Sequence, residues 1–213
     1  MGISIHYRGR LNDLGQLTVL CEELTDIAAA MRWRSLSLDD DWGRPADARL
    51  RITPAGAQID GHLGLKGIEI KPGANVESLS FFFDREGNLR SLMGMALILG
   101  GTLDPERAWI SVKTQFGSPE THAWIIGLLK YLKKRYIADL QVSDDGEYWE
   151  TGNLRILKEK MDLINEKLDL IERKLSSIDF GDVSGLSAEQ TAAKIERFLL
   201  GIKDGKAEQN GSF

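Results

Sequence analysis

Seven apolar residues, Leu154, Leu157, Met161, Ile164, Leu168, Ile171 and Leu175, recur at alternating spacings of three and four. A 3.5-residue repeat keeps one seam in register only along an α-helix, and no proline or glycine interrupts it over 153–176. The segment therefore predicts one continuous helix, about 36 Å long. We read 153–176 as a coiled-coil oligomerisation helix. The competing reading packs the helix on its own domain, where a 3.6-residue period and a wider stripe are usual.

Residue choice along the seam says more. Leu154, Met161, Leu168 and Leu175 fall at a, and Leu157, Ile164 and Ile171 at d. Leucine at a with isoleucine at d disfavours a parallel dimer, so the expected state is a homo-oligomer, trimer or tetramer. Ile156, Leu163 and Leu170 add a second apolar ridge at c. A two-stranded rod would leave that ridge in water; a larger bundle, or docking of one side on the globular domain, would cover it.

Downstream, 177–186 reads as a linker. Ser187-Ala188-Glu189-Gln190 matches a capping box and opens a short amphipathic helix over 187–203, with Ala192, Ile195, Phe198, Leu199 and Ile202 on its apolar face. A helix this short is marginal alone in water, so it predicts docking or a protein partner. The polar tail 204–213 reads as disordered.

Residues 1–150 carry an α+β pattern. Alternation predicts a strand over 3–8, and Asn12 or Asp13 can cap a helix over 14–31. Strands follow at 33–38, 67–71 and 79–83, while 42–64 reads as an excursion, a hairpin or flap with a short strand at 48–53. An apolar helix is expected over 89–99, ended by Gly100-Gly101. A strand at 109–116 leads to Ser118-Pro119-Glu120, an N-cap, a first-turn proline and an acid suited to the helix dipole. That helix should run to Tyr136 and be followed by a strand at 139–143. The element order resembles a ferredoxin-like split β-α-β sandwich with insertions.

Composition limits the function classes. With 42% hydrophobic and 28% charged residues the chain is that of an ordinary globular protein. No apolar run reaches the roughly 18 residues of a membrane span, and no secretory signal is visible, so the expectation is a soluble cytoplasmic protein without membrane contact. A net charge of −5 argues against a nucleic-acid partner held by bulk electrostatics. The single cysteine, Cys21, excludes an intramolecular disulfide and sits on the apolar stripe of its helix, as an inert thiol would. No Walker loop or Gly-x-Ser-x-Gly elbow occurs, and no motif calls for a cofactor.

Candidate chemistry gathers on the first strand. His6 and Arg8 alternate away from Ile5 and Tyr7, and in the resembling topology they would neighbour Lys113 and Gln115 on one sheet face. Such a cluster suits an anionic ligand. A three-histidine metal site from His6, His62 and His122 lacks ligand spacing, and the acidic turns at 39–41 and 144–147 lack EF-hand spacing, so no metal is expected. The sequence thus reads as an oligomeric binding or adaptor module for a protein partner or a small anionic ligand. The alternative is an enzyme acting on an anionic small molecule around His6 and Arg8. A concave pocket gathering these groups favours a ligand site over a pure adaptor.

Overall fold

The computed structural model describes residues 2–176 together with 187, 189 and 190. The expected linker 177–186, most of the expected helix 187–203, the tail 204–213 and the side chain of Leu175 lie outside the described residues. The chain divides into two compact units, Met1–Glu166 and Lys167–Phe213.

In the first unit, β1 (Ser4–Arg8) buries Ile5 and Tyr7 and leaves Ser4, His6 and Arg8 on the wetter face. Asp13 accepts the Gly15 N–H and caps a 3₁₀ turn that feeds α1 (Leu17–Ala30). Leu17, Leu20, Leu24 and Ala28 form the buried stripe of α1. After β2 (Arg34–Asp39) the excursion proves to be a hairpin, β3 (Arg49–Thr53) with β4 (Gly56–Asp60). β5 (Lys66–Lys71) and β6 (Leu79–Phe83) form an antiparallel pair, extended by the short β7 (Leu89–Arg90). α2 (Leu92–Leu99) follows, with Ser91 accepting the Gly94 N–H at its cap.

The second half carries β8 (Ile110–Lys113), α3 (Pro119–Arg135), β9 (Gln141–Asp144), α4 (Tyr148–Thr151) and α5 (Leu154–Ser176). Ser118 Oγ accepts the Thr121 N–H, and Pro119 opens α3, as the sequence predicts.

The strands occupy two larger sheets and the hairpin. One sheet has the order β8-β1-β9, with β1 antiparallel to both neighbours. The other has the order β2-β5-β6-β7. A ferredoxin-like sandwich would set β2 beside β8 in the first sheet, and here the expectation is corrected. β2 pairs with β5 along its whole length, from Arg34–Lys71 to Asp39–Lys66, and a 2.6 Å ion pair joins Lys66 to Asp39. The outer edge of β8 is partly taken by Glu77, which donates its N–H to the Lys113 carbonyl and accepts the Lys113 N–H through its carboxylate.

Both sheets share one core. Ile5 and Tyr7 of β1, Leu20 and Leu24 of α1, Ile68, Ile70, Phe81 and Phe83 of the second sheet, and Ile125, Leu129 and Leu132 of α3 pack together. Tyr7 Oη donates to the Ser80 carbonyl at 2.9 Å, which ties the sheets. β6 is buried at every position because it is covered on both faces: Leu79, Phe81 and Phe83 join the main core, and Phe82 packs with Leu65 and Ala96 under the hairpin.

Within the first unit, Leu157 and Met161 from the start of α5 are buried with Ile3. Those residues of the heptad seam are thus spent within the chain. Leu154, Leu163, Leu170 and Ile171 remain 36–51% exposed. Ser187 and Gln190 form the reciprocal capping box, with Ser187 N–H donating to Gln190 Oε1 at 2.9 Å and Gln190 N–H to Ser187 Oγ at 3.2 Å.

Candidate anion-binding cleft

β1 does not stop chemically at Arg8. The Leu89 N–H donates to the Gly9 carbonyl, and Arg10 bridges to Asn88, so the end of β1 lies beside β7. An extended chain sends alternate side chains the same way, which puts Arg8 and Arg10 on one side. Arg90, from β7, joins them. Together with Asn88, Glu106 and Gln141 they line a polar cleft of about 280 Å³.

The guanidiniums of Arg8 and Arg10 are held by acceptors distant in sequence, and that of Arg90 by nearer ones. Arg8 donates from Nε to Gln141 Oε1 at 2.8 Å and from Nη1 to the Glu106 carbonyl at 2.5 Å, and it stacks 4.7 Å from the centroid of Trp109. Arg10 donates from Nε to the Glu86 carbonyl at 2.7 Å. Arg90, only 10% exposed, donates from Nε to Asp84 Oδ2 at 3.0 Å and from Nη1 to the Pro105 carbonyl at 3.1 Å. Asp84 is itself fixed by the N–H groups of Glu86 and Asn88. A guanidinium carries five N–H donors, so each arginine keeps donors for a ligand after these anchors. Three guanidinium charges meet three carboxylate residues, Asp139 and Glu106 in the lining and Asp84 paired with Arg90. What the cleft offers an anion is therefore the spare N–H donors of its guanidiniums rather than an excess of charge. Asp139 already accepts the Arg10 backbone N–H.

Of the residues expected to form an anion site, the structure brings Arg8 into the cleft and leaves the others outside its lining. His6 and Lys113 lie on the same face of the sheet as Arg8 but spread along it. Lys113 is opposite Ser4, roughly 13 Å of strand from Arg8. Its ammonium lies over Phe116, and His6 Nε2 lies 3.7 Å from Asp145 Oδ2. Gln115 turns inward. The N–H groups of Thr114 and Gln115 both donate to the Ile3 carbonyl, a two-against-one pairing that breaks the alternation of β8. Gln115 is therefore buried, accepting the Ile3 N–H at 2.8 Å and donating to Asn165 of α5 at 2.8 Å.

The three histidines stand apart. His62 Nδ1 is 3.2 Å from the Pro45 carbonyl, and His122 is enclosed between Thr114 and Asp144. Thr114, His122 and Asp144 follow one another as a hydroxyl, an imidazole and a carboxylate would in a nucleophile relay, but Thr114 and His122 are 0% exposed and no substrate reaches them. The acids of the 39–41 turn are engaged too: Asp39 with Lys66, Asp40 with the Leu65 N–H, Asp41 with the Gly43 N–H. Among the described residues no group of three or more His, Cys, Asp or Glu is placed to hold a metal ion, and no helix is long and apolar enough to cross a membrane. An apolar groove of about 600 Å³ between α1 and α3, lined by Ile27, Trp124, Leu128 and Tyr131, has no cationic donor for an anion.

Sequence reasoning missed Arg10 and Arg90. The Arg8-x-Arg10 spacing was a usable signal, since both fall on one side of an extended segment. Arg90 had none, because only the pairing of the β1 end with β7 brings it near. Comparison with family models, with curated proteins and with solved structures found no match to the chain.

Proposed function

We propose that this chain is a binding module for a small ligand bearing a phosphate or carboxylate, held by Arg8, Arg10 and Arg90, and that copies of it assemble through α5. The observation that carries the reading is the convergence of three anchored guanidiniums on one concave cleft. Guanidiniums fixed in advance lose little freedom when they grip an oxyanion, and their planar forks match its geometry. The cleft lining contains no histidine, cysteine, serine or threonine, which favours binding over covalent chemistry.

Assembly rests on the heptad pattern and on the exposure of Leu163, Leu170 and Ile171 along α5. Leu163 and Leu170 belong to the c ridge and Ile171 to the seam beside it, and an apolar ridge left in water has a reason to meet a second copy.

Calorimetric titration of the full chain with inorganic phosphate and pyrophosphate tests the ligand reading. Saturable binding that falls at least tenfold in Arg8→Ala and Arg10→Ala, and stays intact in Lys113→Ala, is the expected result. Absence of binding to either anion, or equal binding by Arg8→Ala, rejects it.

A further inference from the structure

The helix beside the cleft is of an unusual kind. α2, Leu-Met-Gly-Met-Ala-Leu-Ile-Leu, has no polar side chain, yet only Ala96 is fully buried and Met93 is 41% exposed. A helix that is apolar all round is normally enclosed. One side of α2 is accounted for, since Leu92, Met95 and Leu99 pack against the small core beneath the β3–β4 hairpin.

Met95, Ile98 and Leu99 also form one wall of a second cavity of about 380 Å³, with Trp42 and Pro45 beside them and Arg44, Asp84, Arg85 and Glu86 on its charged side. Trp42 is held in place by donating its indole N–H to the Gly64 carbonyl at 2.9 Å. This cavity and the arginine cleft share two wall residues, Arg90 and Pro105. Arg90 is pinned between Asp84 and the Pro105 carbonyl, so its guanidinium stands where the arginine cleft meets the cavity walled by α2.

We infer that the ligand is an amphiphilic anion, an oxyanion head carrying an alkyl or aryl group, with its head among Arg8, Arg10 and Arg90 and its apolar part against Met95, Ile98 and Leu99 beside Trp42. This rests on the anion-binding reading of the cleft and names the class of molecule it takes. A bare inorganic ion would use the first cavity and leave the second empty of function. A neutral lipid would forgo the guanidinium donors. The pairing of a guanidinium-lined cleft with a cavity that has one apolar wall, across one shared arginine, fits a molecule with both characters.

The experiment compares inorganic phosphate, methyl phosphate and n-butyl phosphate by calorimetric titration of the full chain. Each buried methylene is expected to tighten binding about fourfold, so butyl phosphate should bind at least tenfold more tightly than methyl phosphate. Ile98→Gln and Met95→Gln should abolish that chain-length dependence while leaving phosphate affinity within twofold, and two separate positions guard against one variant failing to fold. If phosphate binds through Arg8 but butyl phosphate binds no tighter than methyl phosphate, the inference is overturned and the anion site stands. A chain-length gain that survives both glutamine variants overturns it too. If none of the three binds, the inference and the reading beneath it fall together.

Discussion

His122 Nε2 lies 3.0 Å from Asp144 Oδ1, and neither side chain exposes any surface. On the other side of the ring, Nδ1 is 2.7 Å from Thr114 Oγ1. The carboxylate also accepts the N–H groups of Gly146, Tyr148 and Trp149 at 2.7, 2.8 and 2.9 Å. One buried group thus joins α3 to β9 and fixes the turn that starts α4.

Acid stability follows from this arrangement. Burial alone pushes the Asp144 carboxyl up, but the adjacent His122 and the N–H groups of Trp149 and Gly146 outweigh it and hold the group below its ordinary value. A carboxyl depressed in the folded state stabilises above its unfolded pKa of about 3.9 and loses that contribution as pH falls through the folded value. Asp144→Asn should cost about 3 kcal/mol at pH 7, and the gap to the wild type should shrink below about pH 4. Urea midpoints at pH 7 and pH 3 measure it; a gap independent of pH would contradict the assignment.

Two glycines should respond oppositely to alanine. Gly67 sits in β5 with φ +144, and a Cβ there would lie 2.1 Å from the Phe81 carbonyl oxygen. Phe81 belongs to the neighbouring strand and its backbone cannot yield, so Gly67→Ala should cost more than about 4 kcal/mol. Gly127 lies within α3 with nothing inside 4 Å of its added Cβ. Gly127→Ala should stabilise by about 1 kcal/mol, the ordinary helix-propensity gain. Urea denaturation of both variants decides; equal effects would refute the steric account.

Local physics was legible in the sequence and edge pairing was not. The Ser118-Pro119-Glu120 start of α3 and the Ser187–Gln190 capping box depend on neighbours a few residues apart, and both form as read. Alternation told which residues of β1 are buried. It could not tell which strand β2 would choose, because an exposed edge strand offers the same N–H and C=O row to β8 and to β5. Gln115 shows a second limit. Alternation from Lys113 placed it on the wetter face, but the double pairing of Thr114 and Gln115 on the Ile3 carbonyl shifts the period and buries it. The cleft fared the same way: Arg8 was visible as a strand residue facing away from the core, and Arg90 entered only through topology.

Cys21 should behave as a slow thiol. Burial, with Asp39 and Glu22 nearby, pushes it up to about 11. An unperturbed thiol titrates near 8.5, so at pH 8 the folded protein holds roughly two-hundredfold less thiolate than a free cysteine does. Alkylation by iodoacetamide should be slower by about that factor and rise nearly tenfold per pH unit between pH 8 and pH 10. A rate at pH 8 equal to that of the urea-unfolded chain would show the thiol is not so shielded.

α5 serves two surfaces, and substitutions should separate them. Leu157 and Met161 are 0% and 2% exposed against Ile3, whereas Leu163 and Leu170 are 51% and 37% exposed. Leu157→Ala removes packing inside the first unit and should cost about 2–5 kcal/mol without depending on protein concentration. Leu163→Asp with Leu170→Asp places charge where the proposed oligomer excludes water, so it should give a monomer by light scattering at micromolar concentration. The urea midpoint of that monomer should not fall below that of the wild type diluted until it dissociates. A wild-type chain already monomeric at micromolar concentration would remove self-assembly from the proposal. The apolar ridge of α5 would then need another explanation, and the arginine cleft, built from β1 and β7, would be unaffected.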